Sequence, residues 1–150
     1  MKPLFIKVST SKKDSVFLNA SDIRSITISH DSSSDVVRMQ IRLSNEVFTG
    51  DFSTNTARRI NEEIDNRYNV LTIGPYDVSI QDNDRKFTAV KVINTSAAVI
   101  VLPRGLLGFT VSPTKVIVHA WMQEPITFSR PHNLKDDDLL GLVTVKMDVK

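Results

Sequence analysis

The sequence predicts an α+β protein that is mostly β: curved antiparallel sheet carrying one helix over about residues 54–68, with a second, short helix near 134–141. Two observations carry this. In the stretch from Val36 to Phe52, Val37, Met39, Ile41 and Leu43 alternate with Arg38, Gln40, Arg42 and Ser44, the period of a strand with one apolar and one wet face. Only after Phe52 does the spacing change, with Ala57, Ile60, Ile64 and Tyr68 falling at i, i+3, i+7 and i+11 behind a capping Ser53 or Thr54.

In chain order, Leu4, Ile6 and Val8 give a first strand whose outer face holds Phe5 and Lys7. Ser11-Lys12-Lys13-Asp14 is a turn, and Ser15 to Leu18 resumes a strand that Asn19-Ala20-Ser21-Asp22 interrupts, because these side chains compete for backbone partners. Ile23 to His30 is the next strand; Ile23 is out of phase with Ile26 and Ile28, which predicts a bulge or corner near Arg24. A polar loop, His30 to Asp35, leads into the Val36 to Phe52 hairpin, which turns at Ser44-Asn45-Glu46. On the helix, Glu63 and Arg67 have the favourable i, i+4 order.

Past Asn69 the chain runs through an apolar strand or linker to Gly74-Pro75, the natural division if one domain splits into two β-rich halves, 1–73 and 76–150. Gln81 to Arg85 is a hairpin signal between strands at Asp77 to Ile80 and Lys86 to Ile93. The stretches Phe87 to Ile93 and Ala97 to Leu102 are largely apolar on both faces and belong in the middle of the fold. Thr110-Val111 and Lys115 to Met122 are further strands, Gln123 to Asn133 reads as a loop with room for a short edge strand at Ile126 to Ser129, and Val143 to Lys150 alternates as a last strand.

Composition narrows the function classes. There is no cysteine, which removes disulfides, thiolate metal sites and thiol nucleophiles. No signal-peptide pattern opens the chain and no apolar run approaches the roughly 20 residues of a membrane span, so the expectation is a soluble protein of the cytoplasm, or of a host's cytoplasm if viral. The net charge of +2 is spread evenly, so any cationic surface depends on placement by the fold. Phosphate-binding glycine loops, GxSxG and HExxH are absent, and His30, His119 and His132 lack partners at ligand spacing. Asp136-Asp137-Asp138 suits the start of a helix better than a cation site. The reading is a non-enzymatic protein with no cofactor, no metal and no small-molecule substrate.

The opening phrase FIKVST, then Leu18-Asn19 through Ile23 and Ile26, then strand, turn and helix, resembles the small FlbD-like proteins of flagellar and swarming operons over residues 4–65. That resemblance implies a small curved sheet and no catalytic residues. The element order is also similar to the strand-rich repeats of Whirly and PUR proteins, which present curved sheets to single-stranded nucleic acid.

The candidate surface follows from the strand faces. If the first strand pairs with the Val36 to Phe52 hairpin, Phe5 and Lys7 join Arg38, Gln40 and Arg42 on one sheet face, and Arg58 and Arg59 extend it from the helix. Cations that track phosphates beside an aromatic that stacks on bases are what a single-strand binder needs, whereas cations alone also serve solubility on any outer strand face. The expected partner is single-stranded nucleic acid, RNA ahead of DNA. The alternative is a protein-protein assembly module, viral sources included, that forms homo-oligomers or docks on a larger complex through strand edges.

Overall fold

A computed structural model describes residues 4–9, 14–29, 35–74, 78–80, 88–93, 97–132 and 134. Its strands are β1 (Phe5–Ser9), β2 (Ser15–Asn19), β3 (Ser25–Ser29), β4 (Val36–Arg42), β5 (Val47–Ser53), β6 (Val70–Ile73), β7 (Val78–Ile80), β8 (Ala89–Ile93), β9 (Ala97–Val101), β10 (Leu106–Val111), β11 (Lys115–Ala120) and β12 (Ile126–Ser129), with the helix α1 (Thr54–Arg67) between β5 and β6. The fold is α+β and mostly β. A seven-stranded sheet runs in the order β5-β4-β3-β9-β8-β6-β7, and two smaller sheets, β1-β2 and β10-β11-β12, stand apart from it in hydrogen bonding.

The alternation in each strand decides which layer covers which face. Ile26, Ile28, Val37, Met39, Ile41 and Ile100 point to one side of the large sheet, where Ile6, Val8 and Leu18 from β1-β2 and Ala57, Ile60 and Ile64 from α1 close over them. Leu71, Ile73, Val90, Val92 and Val101 point to the other side and meet Val118 and Ala120 of β11. The large sheet is thus the middle of three layers, and β9 and β8 near its centre are mostly buried on both faces because both faces are covered. Among the described residues, no helix is long and apolar enough to cross a membrane.

Local chemistry sets the element ends. Asn19 Oδ1 accepts from the backbone N–H of Ser21 and caps a 3-10 turn at Ala20–Asp22. The corner expected near Arg24 is present: Ile23 is fully buried, and Arg24 donates its N–H to Arg42 O and accepts from Leu102 N–H before β3 begins at Ser25. Ser53 Oγ accepts from Thr56 N–H at the start of α1, whose C-cap is Tyr68, and Arg67 pairs with Glu63 at 3.6 Å.

Three expectations are corrected. The strands at 78–80 and 89–93 do not form a hairpin; β6 lies between β7 and β8, antiparallel to the first and parallel to the second. The physical reason is that β6 and β8 are almost wholly buried, which favours placing them side by side in the interior and leaving β7 at the edge. Next, the strand expected to run to Met122 stops at Ala120, because Met122 takes a left-handed backbone (φ 55°) that ends the ladder. Finally, β1 does not pair with the β4-β5 hairpin but with β2. Strands from 1–73 and 76–150 interleave, with β9 and β8 seated between β3 and β6, so the two stretches do not own separate sheets. The turn at 11–13, the loop from His30 to residue 34, the hairpin signal at 81–85, the helix expected near 134–141 apart from Leu134, and the final strand lie outside the described residues.

Candidate nucleic-acid interface

The pairing of β1 decides where the expected site residues go. Ile6 and Val8 turn into the core shared with β4, so Phe5 and Lys7 face away from it on the outer side of β1-β2. Arg38, Gln40 and Arg42 alternate with the core residues of β4 and therefore occupy the opposite side of the large sheet. A whole layer of core separates the two groups, and the joint face expected from sequence is not formed.

The arginines of β4 are moreover engaged. Arg38 Nε lies 3.2 Å from Asp51 Oδ1, directly across the β4-β5 pairing. Arg42 Nη1 donates to the carbonyl of Met122 at 2.9 Å, and its Nη2 lies 3.5 Å from Gln40 Oε1. Beside it, Ser25 Oγ donates to Gln123 Oε1 at 2.8 Å and Trp121 Nε1 donates to Ser44 O at 3.4 Å. These contacts pin the turn after β11 onto the end of the large sheet. Arg42 is thereby a structural residue that holds a left-handed turn, and Gln40 is half-buried next to it.

A different cluster takes shape on the other side. Register places Lys7 directly opposite Phe17, with Phe5 one diagonal step away on the same outward face. Phe5 is 53% and Phe17 63% exposed, against the burial that a phenylalanine side chain ordinarily reaches. Between β1 and α1 lies an open groove of about 200 Å³, floored by Ile6 and Ile60 and walled by Phe5 and Phe52. Lys7, Arg59 and Glu63 supply its charged groups. So the structure brings together Phe5, Lys7 and Arg59 of the expected set. Arg58 is not in the groove lining; its Nη2 donates to Asn55 Oδ1 at 2.6 Å along the helix.

Sequence reasoning missed Phe17 and Glu63. The signal for Phe17 was present, since Val16 and Leu18 flank it in a strand that follows β1 across a short turn, and a hairpin there puts Phe17 outward beside Lys7. Glu63 was legible only as a helix charge, because nothing local says that β1 will lie across that face.

No three His, Asp or Glu side chains gather into a metal-holding group among the described residues. His119 Nε2 sits 2.7 Å from Thr110 Oγ1 on the β10-β11 pair. No family model, curated protein or solved structure matches this chain.

Proposed function

We propose that this chain is a non-enzymatic protein that binds single-stranded RNA or DNA, and that the binding surface is the outer face of β1-β2 together with the adjoining edge of α1. The observation that carries this reading is the trio Phe5, Lys7 and Phe17: two exposed rings as diagonal neighbours on an open hairpin, with an ammonium beside them and Arg59 across the groove. Successive bases stack on such rings with a free energy of about 1–3 kcal/mol each, and the cations follow the phosphates. A duplex hides its base faces and cannot use the rings, so the arrangement favours single strands.

The test is a polarisation titration of labelled single-stranded oligonucleotides at two ionic strengths. Binding that weakens steeply with salt and falls at least ten-fold in the doubly substituted F5A/F17A chain is expected. No binding at low salt, or a double variant that binds like the parent, ends the proposal.

An assembly module is the second reading, and the outer edge of β5 favours it: β5 is the last strand of the large sheet on that side, and Val47 is exposed along it. Light scattering separates the two, since a stable oligomer without nucleic-acid affinity supports assembly instead.

A further inference from the structure

Resting on the nucleic-acid reading, we infer that the groove between β1 and α1 is a base-selective subsite, and that the base it selects is guanine. Its size is the first argument. At about 200 Å³ it is smaller than the 300–1,000 Å³ typical of sites for whole cofactors or drug-sized ligands, and it is open along one side, which suits one planar ring entering from a strand rather than an enclosed molecule. Phe5 and Phe52 offer apolar faces to such a ring, and Ile60 lies beneath it.

The second argument is the charge arrangement. Lys7 and Arg59 are suited to the phosphates flanking an inserted nucleotide, but the groove also holds a carboxylate, Glu63, which repels phosphate and suits a donor-bearing edge of the nucleotide instead. An ionised carboxylate only accepts hydrogen bonds, so it selects a base edge that presents donors. Guanine alone among the four bases presents two adjacent donors, N1–H and the N2 amino group, and two carboxylate oxygens match them as a pair. Adenine and cytosine set one amino group beside a ring nitrogen acceptor, and uracil sets its N3–H between two carbonyls; each turns at least one acceptor toward the carboxylate. Arg67, whose Nε is 3.6 Å from Glu63 Oε2, flanks that carboxylate while leaving the Glu63 side chain about half exposed.

The experiment uses the full chain and labelled oligouridines carrying one central U, A, C, G or inosine. Inosine keeps N1–H and lacks the N2 amino group, so it probes the ligand side without altering the protein. The expected order is G tighter than U, A or C by about ten-fold, with inosine losing most of that gain. Glu63→Gln, which replaces one acceptor by a donor, is expected to abolish the G preference. Free guanosine 5′-monophosphate is expected to displace the labelled strand only at far higher concentration than the G-containing oligonucleotide does; displacement as tight as the strand's own would make the site one for free nucleotides. Failure to bind any oligonucleotide overturns the parent reading. Equal binding of all bases, or a G preference that inosine and Glu63→Gln leave intact, overturns the guanine subsite alone.

Discussion

Lys91 Nζ stands 3.2 Å from Asp65 Oδ1, joining a strand at the centre of the large sheet to the helix packed over it. The two ends of this pair are unlike: the Lys91 side chain is 10% exposed and that of Asp65 is 39%. Asp65 can turn to water if its partner is lost, whereas Lys91 cannot. Removing Asp65 (D65A) is therefore expected to lower stability by about 1–3 kcal/mol, and Lys91→Met to change it by less. Urea denaturation of both variants checks the asymmetry; a K91M chain that is the less stable of the two contradicts it.

The carbonyl of Arg24 occupies the space a side chain on Gly105 would need. Gly105 is fixed there by its N–H to Leu102 O and by its own carbonyl, which accepts from Trp121 N–H. Backbone on both sides cannot retreat as a flexible side chain would. Gly105→Ala is expected to destabilise by 3 kcal/mol or more, roughly the scale of an overpacked core, and to yield little folded protein. A melting temperature within a few degrees of the parent is the contrary result.

Met122 and Arg42 give a paired prediction. Met122 holds a left-handed backbone that an L side chain adopts at a penalty of about 1–2 kcal/mol, and its carbonyl is the acceptor of Arg42. Met122→Gly is expected to preserve or raise stability by up to about 1 kcal/mol, while Arg42→Ala lowers it by about 1–2 kcal/mol through the abandoned carbonyl. Because Trp121 is the single tryptophan and adjoins this turn, with Arg24 over its ring at 5.5 Å, its fluorescence reads the loss directly.

Charge reversals separate the two faces functionally. Lys7→Glu and Arg59→Glu are expected to weaken oligonucleotide binding and each to reduce the salt slope by about one, as loss of a phosphate contact does. Arg38→Glu, on the far side of the core and paired with Asp51, is expected to change affinity by less than two-fold. A larger effect from Arg38 than from Lys7 returns the site to the β4-β5 hairpin.

What could be read from sequence was whatever depends on neighbours in the chain. The faces of β4, the stripe on α1 and the corner at Arg24 all follow from alternation, helical spacing and one break of phase. The partners of strands did not follow. Nothing near Phe5 says that the β1-β2 pair will fold over the inner face of the large sheet, and nothing near Val78 says that β7 will pair backwards with β6. Of the expected surface, Phe5, Lys7 and Arg59 meet, while Arg42 is spent on Met122, a contact between residues 80 apart in the chain.

The seat of β9 between β3 and β8 also has a consequence for synthesis. β3, β4 and β5 leave the ribosome early and can join as a meander, but the other side of β3 has no strand to pair with until β9 has been translated. For that interval the nascent chain offers an open ladder edge beside Ile26 and Ile28. A pause in translation between β5 and β9 lengthens this exposure, so synonymous slow codons in that interval tax soluble yield without altering one residue of the finished protein.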